Sequence, residues 1–256
     1  MTAGERVKII AVGGGEIGRP GTNIETESID REIVKFSGKK HPKLLFIPTA
    51  SGDSDLYCDV VSNYFGKKLG CHTEVLYLIR KSPSRRDIEE KVFGSDIIYV
   101  GGGNTLRMLK TWRRYGLDNI LKDAMKRGVV LSGVSAGAIC WFQYGNSDSM
   151  KFSDRRNPLI KLRGLDIVHG LMACPHYDVE RDRRSSLRKM MNAHGGVAIA
   201  LENCSAFMVK GDNYKILTSS NGACVYKVYK IKGKVVEEPI HIDRKFRPLK
   251  ELLLRK

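Results

Sequence analysis

Residues 130–140 read VLSGVSAGAIC, a short apolar run that closes in Gly-x-Ser-x-Gly around Ser135 and then turns small and apolar again. Such a pattern predicts a strand over 129–132, a sharp turn permitted by Gly133 and Gly137, and a helix from about Ala136. A serine on that turn stands at the carboxyl end of a sheet with its hydroxyl exposed. The Ala136 N–H, unsatisfied at the helix start, then faces the place where an oxyanion would develop. The competing reading is a tight packing corner. Strand, turn and helix start all fall where a nucleophile elbow requires them, which favours a catalytic serine.

On the N-terminal side of this stretch, apolar runs at 6–12, 43–48, 72–78 and 96–100 read as further strands. Between them, 24–36, 56–69, 86–93 and 105–127, the last broken near Gly116, carry helical periodicity. Alternating buried strands and amphipathic helices predict an α/β fold, a doubly wound and mostly parallel sheet. After Ser135 the alternation weakens. Residues 143–163 read as a polar loop, 164–168 as a strand entering a loop at 169–175, and 179–193 as a helix. Short runs at 197–201, 206–209, 215–217 and 224–230 then suggest a short antiparallel C-terminal extension. No repeat or low-complexity linker divides the chain, and a single domain over 1–256 is expected.

The chain has 256 residues, 42% of them hydrophobic, enough for a full core. Its apolar runs fall far short of the ~18 residues of a membrane span, and the N-terminus lacks the apolar region of a secretory signal. A cytoplasmic protein without a membrane partner is expected, a monomer or homodimer. Six cysteines are scattered with no C-x-x-C pair, so they read as reduced thiols, with neither a metal nor a cofactor implied. A formal net charge of +16 is dispersed apart from clusters at 181–184 and 245–256. It is not interleaved with aromatics, which argues against nucleic acid as a partner.

Other motifs surround the elbow. Gly13-Gly14-Gly15-Glu16-Ile17-Gly18 matches a dinucleotide fingerprint, but Arg19-Pro20-Gly21 interrupts the helix that should receive a pyrophosphate. It reads better as a glycine turn beside an active site. Gly101-Gly102-Gly103-Asn104-Thr105 is a second glycine-rich strand end, serving either close approach to a ligand or a plain turn in which Asn104 caps the next helix. A serine needs a base and an orienting group. Among six histidines, His176, following a strand and loop and preceding a helix, leads narrowly over His169. Glu202, ending an apolar strand, and Asp148, in the loop after the elbow helix, are the acid candidates. Arg181, Arg183 and Arg184 read as a solvated helix face or as an attraction for a substrate carboxylate.

Together GGGNT at 101–105, GVSAGA at 133–138, Pro175-His176 and AIALEN at 198–203 resemble the peptidase E family of serine peptidases, which includes aspartyl dipeptidases and cyanophycinases. The resemblance is closest to its uncharacterised members carrying SAG[AS]ICWF followed by a Ser-Asp-Ser loop, here residues 135–142 and 147–149. It implies a fold like that of the class I glutamine amidotransferases, flavodoxin-like, with serine where those enzymes have cysteine. By motif it implies Ser135 as nucleophile, His176 as base, Glu202 ahead of Asp148 as the acid, and the N–H groups of Gly102 or Gly103 and of Ala136 as the oxyanion hole. A small peptide is the expected substrate, with Asn104 and Arg181 as substrate-binding candidates. The segment between Ser135 and His176 departs from the aspartyl dipeptidases, which leaves an Asp-Xaa preference open. An esterase or amidase acting on a non-peptide, or a non-catalytic binding protein on the same scaffold, are the alternatives.

Overall fold

In the computed structural model residues 7–243 and 245–254 are described. Residues 1–6, on which the reading of the N-terminus and the start of the first strand partly rested, lie outside them, as do residues 244, 255 and 256. The first half alternates as its periodicity predicts: β1 (Lys8–Val12), α1 (Glu27–Phe36), β2 (Lys43–Ile47), α2 (Asp55–Val61), β3 (His72–Val75), α3 (Arg85–Phe93), β4 (Ile97–Val100), α4 (Thr105–Tyr115), α5 (Leu117–Lys126) and β5 (Val130–Val134). Ser62–Lys68 continues α2 as a π-helix. The break between α4 and α5 is Gly116 at φ 66°, a left-handed cap that glycine adopts at no steric cost.

The second half holds α6 (Ala136–Ile139), β6 (Phe142–Ser147), β7 (Ile160–Arg163), β8 (Val168–Pro175), α7 (Arg181–His194), β9 (Val197–Leu201), β10 (Ser205–Lys210), β11 (Asn213–Thr218), β12 (Val225–Ile231), β13 (Lys234–Pro239), β14 (Arg247–Pro248) and α8 (Lys250–Leu253). Two stretches differ from expectation. Residues 143–163 form a loop only over their middle part, 148–159. They carry β6 and β7, and β6 is hard to recognise because Asn146 and Ser147 are fully buried in it, each satisfied by hydrogen bonds rather than replaced by an apolar residue. Residues 169–175 are likewise most of a strand, β8, buried between β6 and β9.

The strands form two sheets. In the first, β3-β2-β4-β5-β1 run parallel, and β10, β11 and β14 add antiparallel beyond β1. In the second, β6, β8 and β9 are parallel and are flanked by antiparallel β7 on one side and β12 and β13 on the other. The fold is therefore α/β with parallel strands at its centre, and the antiparallel part is larger than the short extension expected. One continuous core joins the sheets through Ile9, Ile98 and Leu131 of the first and Ala173 and Ile199 of the second, with Ile139 and Phe142 between them. A second layer packs Ile29 and Ile33 of α1 on Ile10, Phe46 and Tyr99. Leu187 and Met191 of α7 cover Cys174 and Ala198.

Two crossings between the sheets set the position of the cleft. The chain leaves the first sheet after β5 through α6, and it returns from β9 to β10 through Glu202, Asn203 and Cys204. The carboxyl ends of β1, β4 and β5 thus meet those of β8 and β9, where α/β proteins place their ligands.

Candidate active site

The elbow is tight because its small residues leave no alternative. A Cβ on Gly133 or Gly137 would overlap the Val100 carbonyl, so α6 lies directly against the end of β4. Ser135 itself has φ 58° and ψ −109°, outside the regions open to L-residues. The strain is on the order of 1–3 kcal/mol. It is held by the Ser135 N–H donating to Val12 O at 3.1 Å and by the Ser135 carbonyl accepting from Ala138 and Ile139, both at 3.0 Å. Ser135 remains half-buried in an otherwise buried stretch, facing a cavity of about 500 Å³.

His176 lines the same cavity. It follows the last residue of β8 and also carries a strained backbone, φ 134°. Its Nδ1 lies 2.9 Å from Asn203 Oδ1. A side-chain carbonyl can only accept, so Nδ1 bears the proton and Nε2 is left with its lone pair. Burial pushes the imidazole below its usual pKa. The Asn203 bond opposes that, the Arg183 charge adds to it, and the carboxylates of Glu180 and Asp148 oppose it. The ring is therefore neutral at pH 7, the state a general base needs.

The glycine turns supply the walls. A Cβ on Gly14 would overlap both the Asn203 amide oxygen and the His176 ring, so the turn after β1 presses against the pair as only glycine permits. The G-x-G-x-x-G run therefore serves the site. It opens no helix: Ile17 pairs with Ile24, and α1 begins only at Glu27. After β4 the three glycines have three separate tasks. A Cβ on Gly101 would sit 2.8 Å from Tyr57 Cε1, and one on Gly102 would come within 3.4 Å of Ser135 Cβ. On Gly103, at φ 135°, it would overlap the Ala50 carbonyl.

A family model described as peptidase family S51 matches residues 8–217. The chain belongs to peptidase family S51. An uncharacterised peptidase of Bacillus subtilis, YgaJ, is 36% identical over 238 residues, spanning 92% of this chain and 97% of its own. Peptidase E of Salmonella arizonae is 49% identical over 49 residues, 19% of this chain and 21% of its own. Among solved structures, a peptidase from an acI-B1 actinobacterium has a TM-score of 0.72 at 18% identity over 94% of this chain and 96% of its own. A putative peptidase E protein of Listeria monocytogenes has 0.61 at 19% over 84% and 99%. The structural likenesses agree with the α/β fold, and the sequence matches agree with the resemblance to the peptidase E family.

Within this S51 peptidase the residues singled out in the sequence are only partly brought together. Ser135, His176, Gly102 and Gly103 share one cavity, and Ala136 opens α6 beside it. Glu202 does not hold His176: its carboxylate accepts the Cys224 N–H at 2.8 Å. The next residue, Asn203, contacts the ring instead, because the chain reverses there between β9 and β10. Asp148 directs its carboxylate to Arg183, Oδ2 to Nη2 3.7 Å. Asn104 caps α4, accepting from Arg107 N at 2.9 Å and donating to Ser149 O at 3.1 Å, and so serves the structural alternative. Arg181 is exposed at the first turn of α7. The arginine that lines the cavity is Arg19, paired with Glu16.

Sequence reasoning missed Asn203 and Tyr57. Asn203 is the immediate neighbour of the favoured acid, and that adjacency is its signal, since an amide can orient a histidine much as a carboxylate does. Tyr57 lies on a helix whose periodicity showed only a packing face. All six cysteines are free thiols, four of them buried. No helix among the described residues is long and apolar enough to cross a membrane.

Proposed function

We propose that the cavity hydrolyses short peptides by acyl transfer through Ser135. The Ser135 hydroxyl adds to the scissile carbonyl carbon while His176 Nε2 takes its proton. The resulting oxyanion faces the N–H groups of Gly102 and Ala136. The imidazolium then gives its proton to the amine nitrogen as the C–N bond breaks, leaving an ester on Ser135. Water, deprotonated by the same Nε2, releases the acid and restores the serine. Asn203 keeps Nδ1 protonated throughout, and so takes the place expected of Glu202 or Asp148.

The observation that carries this reading is the pairing of two strained residues, Ser135 and His176, on one cavity, with the imidazole tautomer fixed by Asn203. Backbone strain of this kind persists where the surrounding structure enforces it, as at active sites. A volume near 500 Å³ suits a small ligand, and a dipeptide or similar short chain falls in that range. Arg19 is the cavity's cation for a substrate carboxylate, but Glu16 already neutralises it. This favours recognition of a short peptide over a strict demand for an acidic side chain.

A dipeptide library incubated with the purified protein tests the reading. The wild type is expected to release amino acids from a subset of dipeptides and Ser135→Ala from none. Equal hydrolysis by both would remove Ser135 from the mechanism.

A further inference from the structure

Tyr57 is the third residue of α2, where Ser54 accepts its N–H at 3.4 Å. Its ring packs edge-on against Phe46, centroids 5.1 Å apart at 74°. Gly101 is the floor beneath it: any side chain there would meet Tyr57 Cε1 and the Phe46 ring. The ring is thus fixed from two sides, and its hydroxyl is aimed at the strand end that faces Ser135.

There the Gly102 N–H donates to the Tyr57 hydroxyl oxygen at 3.4 Å. This bond is at the long limit for N–H···O and correspondingly weak. Gly102 is also the residue that lies against the Ser135 side chain. The hydroxyl oxygen therefore stands where Gly102 directs its N–H, and its own proton is left to point into the cavity that Tyr57 lines.

We propose that the Tyr57 O–H is a further donor to the oxyanion, acting beside the Gly102 N–H. The proposal rests on Ser135 as the nucleophile. In the free protein the hydroxyl oxygen occupies the Gly102 donor. When the substrate oxygen becomes negative, the weak neutral bond gives way to two charge-assisted ones, from Gly102 N–H and from Tyr57 O–H, and no proton changes owner. Burial pushes the phenol up to about 12, so it stays protonated and able to donate at every pH at which His176 works as a base. A tyrosine hydroxyl is an established type of oxyanion donor, and losing one donor costs about a hundredfold or more in kcat.

The test compares wild type, Tyr57→Phe and Ser135→Ala on an aminoacyl p-nitroanilide that the wild type cleaves, together with the affinity of the matching peptide boronic acid, which forms a tetrahedral adduct with a serine. Tyr57→Phe is expected to lower kcat about a hundredfold, to leave KM within about twofold, and to weaken the boronic acid by a factor similar to the loss in kcat. Gly101→Ala, which displaces the ring while keeping the hydroxyl, is expected to lower kcat in the same direction. Unchanged kcat in Tyr57→Phe, or a raised KM with boronic acid affinity intact, would overturn the assignment. Activity retained in Ser135→Ala would instead overturn the nucleophile on which it rests.

Discussion

His176 Nδ1 lies 2.9 Å from Asn203 Oδ1, so a neutral amide, not a carboxylate, orients the imidazole. A carboxylate would stabilise the imidazolium and raise its pKa; an amide fixes the tautomer without adding charge. With burial dominant, the ring's pKa falls below its usual 6.5. A histidine acts as a base only when neutral, so under the proposed mechanism kcat/KM should rise with pH through that lowered value and be level by pH 7. Asn203→Asp is expected to move this acid limb to higher pH, and Glu202→Gln to leave it in place. Profiles between about pH 4.5 and 8 decide the matter: a limb that moves with Glu202 and not with Asn203 would return the role to the acid.

Gly14 packs against the same pair so closely that a methyl group would overlap the Asn203 oxygen and the imidazole. Gly14→Ala should therefore displace the imidazole while leaving most of the core untouched. The expected result is a loss of at least about a hundredfold in kcat, as for misplacement of a catalytic group, with a far smaller change in thermal unfolding. Near-normal turnover would mean that the His176–Asn203 geometry is not the catalytic one.

Arg183 is 1% exposed and is held by Glu180 at 2.7 Å, by Asp148 at 3.7 Å and by the Asn146 carbonyl. Removing the cation ends its bonds to two partly exposed carboxylates and to the buried Asn146 carbonyl, which costs roughly 1.5–3 kcal/mol. Arg183→Met should lower the urea midpoint accordingly. A change below about 1 kcal/mol would show that solvent already screens the cluster.

Asp30, fully buried on α1, accepts from Thr26 Oγ1 at 2.7 Å and from Tyr64 Oη at 2.9 Å. Burial raises its pKa from 3.8 to about 7, against the pull of those two donors. The folded state therefore holds a proton that the unfolded chain releases, so this stabilisation is complete below pH 3.8 and is lost progressively as pH rises from there through about 7. Asp30→Asn should gain stability relative to wild type across that window, by up to a few kcal/mol at neutral pH. Parallel stability curves for the two proteins would contradict this.

Much of this architecture was legible because β1, β2 and β4 are short apolar runs each followed by a glycine or proline, and because Gly116 marks a helix break without help from tertiary structure. The elbow was legible from the small residues around Ser135 between a strand and a helix start, although what forbids a side chain at Gly133 and Gly137 is the Val100 carbonyl of β4. β6 was not, since Asn146 and Ser147 are buried by virtue of bonds to α7 and to Ser149, partners 40 and 2 residues away, and polarity alone reads as a loop. Two sheets rather than one sheet with an extension could not be read either, because β9 and β10 are neighbours in sequence that pair with different strands. Glu202 ranks above Asp148 on sequence, and Asn203, which contacts His176 in the structure, is one residue further on at that reversal, where alternation of side chains decides which neighbour faces the cavity.

Covalent capture of Ser135 is the decisive measurement for the nucleophile. The protein is treated with a fluorophosphonate, and the adduct is located by peptide mass spectrometry in wild type, Ser135→Ala and His176→Ala. Stoichiometric modification of Ser135 is expected in the wild type, none in Ser135→Ala, and labelling slowed by orders of magnitude in His176→Ala. Peptide hydrolysis that persists after Ser135 is fully modified, or labelling that is as fast without His176, would contradict the proposed mechanism.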